Sequence, residues 1–84
     1  MRPINERPSW HAEADDIRPG ARLLRRQEVE HRTGRSRSAM YKEIAAGTFP
    51  APVVLGSHSV AWLEQEIDGW IAEKVAQRNA QARG

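Results

Sequence analysis

Residues 33–47, Thr-Gly-Arg-Ser-Arg-Ser-Ala-Met-Tyr-Lys-Glu-Ile-Ala-Ala-Gly, decide how this chain folds. Glycine reaches the left-handed conformation that a helix C-terminus needs, so Thr33-Gly34 ends whatever precedes it. Ser36 then stands where its hydroxyl can accept a hydrogen bond from the free amides of a new helix. That helix is predicted over about Arg37–Ala46, and Gly47 closes it. Met40 and Ile44 lie four apart and face inward, which leaves Arg37, Ser38, Tyr41 and Lys42 on the other side. These side-chain types bond phosphates and base edges. A helix, a tight glycine turn and a second, basic helix form the usual device for reading the major groove. Taken alone, the segment fits a solvated helix hairpin with incidental charge equally well.

On the N-terminal side, order is expected to begin at Leu23-Leu24, which lead into a short helix around Arg26–Arg32 with Val29 as its inward anchor. On the C-terminal side, the prolines of Phe49-Pro50-Ala51-Pro52 forbid a helix and impose extension. Val53-Val54-Leu55 then reads as a strand, Gly56-Ser57-His58-Ser59 as a turn and Val60-Ala61-Trp62 as the returning strand. The last element is an amphipathic helix, with Leu63, Ile67, Trp70, Ile71 and Val75 on one stripe. Gly69 within it weakens the helix by about 1 kcal/mol relative to alanine, so a close neighbour is expected there. The ordered region is thus Leu23 to about Asn79, with Trp62, Trp70 and Phe49 as core.

Residues 1–21 carry Pro3, Pro8, Pro19 and Gly20 with little apolar material beyond Ile4, Trp10 and Ile17. The composition predicts a flexible N-terminal arm over 1–21, a folded domain over 22–79 and a frayed tail over 80–84. Trp10 is read either as docked, on the domain or on a neighbour, or as exposed in the arm.

Composition narrows the function. The chain has 84 residues, room for one small domain, and no cysteine, hence no disulfide, thiolate metal site or cysteine nucleophile. No apolar run reaches membrane-span length and no signal-peptide pattern opens the chain, so a cytoplasmic protein is expected. The formal net charge is only +2, but it is unevenly spread. Arg22 to Lys42 holds seven basic residues against Glu28 and Glu30, a net +5, whereas Leu63 to Glu73 holds four acids and no base. A polarised surface is expected, its basic pole on the candidate recognition helix.

The stretches Arg22-Leu-Leu-Arg-Arg-Gln-Glu-Val29, Thr33-Gly-Arg-Ser-Arg-Ser38, Met40-Tyr-Lys42, Gly47-Thr-Phe-Pro50, Pro52-Val-Val-Leu-Gly56, Val60-Ala-Trp62 and Glu66-Ile-Asp-Gly-Trp-Ile71 occur in an order and spacing that resemble the AlpA-type prophage regulators. These are MerR-like winged helix-turn-helix proteins, similar also to phage excisionases. The resemblance runs from about Arg22 to Arg78. It implies a mostly α fold with a small two-stranded β wing. It also implies a bacterial, nucleoid-associated DNA-binding protein of a prophage or integrative element. Such a protein regulates integration and excision genes, acts as a recombination directionality factor (excisionase), or does both, and an integrase is a candidate partner. Two positions depart from the family pattern: His58 stands where the wing turn usually carries arginine, and Arg35 where leucine is frequent.

From these readings the expected DNA contacts are Arg37 and Ser38 to bases, and Tyr41, Lys42 and Arg35 to the backbone. Ser36, which caps the helix, belongs to the same DNA-binding set, and Arg25, Arg26 and His58 flank it on phosphates. One module of this size covers little DNA, about 600–1,000 Å², so self-association or cooperative binding is expected. Catalysis is not expected. His11, His31 and His58 are too widely spaced to form a metal site, and Ser57 and Ser59 beside His58 lack a pocket and an orienting group. No cofactor, small-molecule substrate or membrane partner is implied. The competing class is a small protein-interaction adaptor or antitoxin-like module that docks through the acidic C-terminal helix.

Overall fold

A computed structural model of the protein describes residues 7–83. It contains three helices, α1 (Arg26–Thr33), α2 (Arg37–Ala46) and α3 (Glu64–Arg83), and three strands, β1 (Leu23–Leu24), β2 (Val53–Gly56) and β3 (Ser59–Leu63). The strands form one antiparallel sheet in the order β1-β3-β2. Leu24 faces Trp62 across one edge of β3, and Val54 faces Val60 across the other.

The local signals at the helix ends act as expected. Gly34 has φ 71° and its N–H donates to the Glu30 carbonyl, which ends α1. Ser36 accepts a hydrogen bond from the Ala39 N–H at 3.2 Å and so caps α2. Gly47 has φ 80°, and the Thr48 N–H reaches back to the Glu43 carbonyl at 2.9 Å, closing α2.

The core gathers Trp10, Leu24, Val29, Met40, Phe49, Trp62, Ile67 and Trp70, with Ile44, Val60 and Ile71 half-buried against it. Two indoles hold the proline-rich connection in place. Trp62 donates from Nε1 to the Pro50 carbonyl at 2.9 Å, and Trp70 donates to the Thr48 carbonyl at 3.1 Å. Phe49 meets Trp70 edge-on, with ring centroids 4.9 Å apart. These contacts fix where β2 leaves α2, and therefore where the β2–β3 hairpin stands relative to that helix.

Three features differ from the sequence reading. The hairpin has a third strand: β1 pairs with β3, and the Glu64 N–H adds a bond to the Arg22 carbonyl at 2.9 Å. The flexible arm expected over 1–21 lies partly outside the described residues, and its described part is docked. Trp10 is buried, the Ala12 N–H donates to Glu66 Oε2 at 2.8 Å and Ser9 Oγ donates to Glu73 Oε2 at 2.7 Å. The physical reason is Gly69, since a Cβ there would meet Trp10 Cβ at 3.0 Å and Trp10 Cα at 3.3 Å. The missing side chain leaves the notch that takes Trp10, and this is the close neighbour Gly69 predicted. Finally, α3 continues past Asn79 to Arg83, although Lys74–Ala82 are exposed and lie outside the core. The part of the frayed-tail expectation that concerns Gly84 lies outside the described residues.

Candidate nucleic-acid interface

The first turn of α2 presents its side chains to solvent. Arg37, Ser38, Tyr41 and Lys42 are all exposed, while Met40 is fully buried beneath them. The buried methionine and half-buried Ile44 pin the helix to the core, so its outer face is fixed in orientation. The Arg37 guanidinium lies 6.0 Å from the Tyr41 ring centroid, within cation–π range. Tyr41 in turn meets the buried Trp62 ring of β3 at 6.2 Å in an edge-on arrangement. A chain of contacts thus runs from the start of α2 to the middle strand of the wing.

Arg25 makes the corresponding link from α1. Its Nη1 donates to Ser59 Oγ at 2.9 Å and to the Val60 carbonyl at 3.3 Å, which ties the turn end of the hairpin to the helix-turn-helix. His58 sits exposed in the β2–β3 turn. Helix α2, Arg25 and the hairpin are therefore held as one unit.

The remaining basic residues of 22–42 are spoken for by carboxylates. Arg26 pairs with Glu30 one turn along α1. Arg35 pairs with Glu43 of α2 at 3.2 Å, and its guanidinium lies 5.7 Å from the Trp70 ring centroid. Its Nε is buried without a hydrogen-bond partner. Arg35 therefore bridges the interhelical turn and α3. Arg22 reaches Glu64 at 3.6 Å, and Arg32 reaches Glu28 at 3.2 Å, Glu64 at 3.0 Å and Asp68 at 3.6 Å. The hydrogen bond to Glu28 is the main reason that Arg32 holds its proton more tightly than usual; desolvation opposes it, and Glu64 adds to it.

The expectation of a polarised surface needs correction on this point. Glu64 and Asp68 of the acidic stretch fold against Arg22 and Arg32 of the basic one, so part of each pole is neutralised inside the molecule. Glu66 is buried and holds the N-terminal segment, and Glu73 accepts from Ser9. Among the basic residues of 22–42, Arg25, Arg37 and Lys42 are those without a carboxylate partner among the described residues. Two structural partners escaped the sequence reading. Ser59 receives Arg25, and Thr33 Oγ1 donates to the Val29 carbonyl at 2.8 Å while accepting from the Arg35 N–H at 3.3 Å. Threonine before a helix-ending glycine was the available signal for the second; nothing in the spacing marks the first.

Among the described residues no group of three or more histidine or acidic side chains is placed to hold a metal ion, and no helix is long and apolar enough to cross a membrane. A capped, pinned basic helix behind a glycine turn, flanked by a small antiparallel hairpin and closed by a long helix, defines a winged helix-turn-helix protein. Comparison with known proteins agrees: residues 22–75 match the family described as prophage CP4-57 regulatory protein (AlpA), and the chain belongs to that family. It is 47% identical over 57 residues to the uncharacterized protein ORF88 of Enterobacteria phage P4, a match covering 68% of this chain and 65% of that relative. The chain thus spans under two thirds of the phage relative's length. It is 35% identical over 63 residues to the DNA-binding transcriptional activator AlpA of Escherichia coli (strain K12), covering 68% of this chain and 90% of that protein. No solved structure matches it.

Proposed function

We propose that this protein is a sequence-specific binder of double-stranded DNA, encoded on a prophage or integrative element, that regulates transcription of integration and excision genes. The observation that carries the reading is the outer face of α2. Arg37 and Lys42 are exposed there without a carboxylate partner among the described residues, beside a wing tethered by Arg25. A surface helix gains nothing for stability from cations left uncompensated, whereas a polyanion supplies their missing charge. The Escherichia coli relative, named a DNA-binding transcriptional activator, supports the same reading.

In this reading Arg37 and Ser38, in the first turn of α2, meet base edges in the major groove. Tyr41 and Lys42 meet the backbone of the same groove, and Arg25 and His58 hold the flanking phosphates through the wing. Ser36 holds the helix start in shape. Arg35 and Arg26 reach phosphate only by exchanging Glu43 and Glu30 for it, which makes them the weaker candidates. The small interface calls for copies that associate on repeated sites.

Footprinting on DNA from the gene's own neighbourhood tests the reading. Protection upstream of an integrase or regulator gene is expected. Protection confined to an attachment site would shift the role from transcription to excision, as a recombination directionality factor. No protection at low salt anywhere in that locus would remove the reading and favour the protein-interaction class.

A further inference from the structure

Between the end of α1 and the middle of α3 lies an open groove of about 360 Å³. Arg32 and Arg35 wall one side, Ile71 and Val75 form an apolar floor, and Lys74 and Arg78 stand along the rim. The two wall arginines are already paired with acids. The two rim cations are not neutralised by what they touch: Lys74 lies 5.4 Å from the Trp70 ring centroid, and Arg78 donates to Asn79 Oδ1 at 2.8 Å. Val75 is 42% exposed in this groove. An apolar strip edged by two cations one helical turn apart, without carboxylate partners among the described residues, suits an apolar anchor flanked by carboxylates.

The chain itself carries such a segment. Glu13-Ala-Asp-Asp-Ile17 forms a 3-10 turn over Ala14–Asp16, and all five residues are exposed. Ile17 is 39% exposed beside three carboxylates. Within one molecule this turn stays away from the groove. The N-terminal segment runs antiparallel along α3, with Ser9 at Glu73, Trp10 at Gly69 and Ala12 at Glu66, so it carries the turn toward the helix start. The groove lies further along α3, between Trp70 and Arg78.

We propose that the groove is filled by the 13–17 turn of a second copy of this chain, with Ile17 on Ile71 and Val75 and with Asp15 and Asp16 against Lys74 and Arg78. The inference deepens the self-association given under the proposed function and names its contact. Donor and acceptor are different patches, so the contact is heterologous: each added copy offers a fresh groove and a fresh turn, and copies add head to tail. Exposed ion pairs are individually weak, so the contact forms at high protein concentration in free solution and tightens when DNA holds copies side by side.

The test is sedimentation equilibrium of the full chain at low salt without DNA, which separates it from the DNA-binding reading. The weight-average mass of the natural chain should keep rising with concentration, past two copies. K74Q/R78Q and D15N/D16N should each lower the association constant roughly tenfold. Asparagine at position 16 keeps an acceptor for the Glu13 N–H, so the turn itself survives. Each variant retains one intact patch. An equimolar mixture of the two should therefore form one-to-one pairs and nothing larger. On a duplex bearing a single site, K74Q/R78Q should bind like the natural chain. A mass that stays monomeric or levels off at two copies, variants that associate like the natural chain, or a mixture that fails to pair would each overturn the proposal.

Discussion

At the scale of single residues, side chains that look alike in sequence differ in what surrounds them. Arg35 and Arg37 are two positions apart, yet one lies between Glu43 and Trp70 and the other stands exposed over Tyr41. A guanidinium at the start of a recognition helix reaches guanine O6 and N7 with two hydrogen bonds. Arg37→Ala should then weaken cognate binding by about 1–3 kcal/mol and unrelated DNA much less. Lys42 meets phosphate as a point charge, so Lys42→Ala should weaken both kinds of DNA alike and lower the salt slope by about one. Competition with cognate and scrambled duplexes distinguishes these outcomes. Gly69 offers a different test. A methyl there adds helix propensity of about 1 kcal/mol but presses on Trp10 at 3.0 Å. Gly69→Ala should loosen the N-terminal segment, seen as faster proteolysis between Trp10 and Gly20, while the melting of the rest of the domain changes little. Unchanged proteolysis would mean that Trp10 does not need the notch.

At the scale of elements, the helix-turn-helix was legible because its punctuation is chemical. Gly34, Ser36 and Gly47 each serve one backbone conformation or one free amide, and α2 spans Arg37–Ala46 as their spacing dictates. Strand β1 was not legible as a strand, since two leucines carry no alternation, and only the partner β3 makes them one. The docked N-terminal segment was hidden for a related reason. Its composition is that of an arm, and one tryptophan meeting one glycine 59 positions away leaves no local pattern. Helix α3 was clear from its stripe, and its Trp70 joins it to the connection after α2 by packing on Phe49 and by the bond to Thr48. Trp70→Ala should cost roughly 3–5 kcal/mol through the lost packing, and it leaves the Thr48 carbonyl without its donor. A domain with so small a core cannot absorb that loss. Circular dichroism should show a largely unfolded variant; a fully folded one with unchanged melting would contradict the packing described here.

At the scale of the whole molecule, charge is sorted by folding in a way that counting along the chain does not reveal. Counted along the chain, the net +5 of residues 22–42 corresponds to about five phosphate contacts. The fold brings Glu64 and Asp68 back onto Arg22 and Arg32 and leaves Arg25, Arg37 and Lys42 without acidic partners among the described residues. Those ion pairs join residues more than thirty positions apart, beyond the reach of any helical spacing. The difference can be measured. With Arg37 on base edges, Arg25 and Lys42 are the cations on phosphate and predict a slope of log K against log salt near −1.8, which steepens toward about −3.6 if Arg26 and Arg35 give up their glutamates to phosphate. The most direct test is a titration of the full chain with a duplex from its own locus and with a scrambled duplex, across a salt series, for the natural chain and Arg37→Ala. The account predicts tighter binding to the locus duplex, a slope between those two values, and a collapse of the preference between duplexes in the variant. Absence of binding at low salt, or a preference that survives Arg37→Ala intact, would contradict the assignment of DNA reading to the first turn of α2.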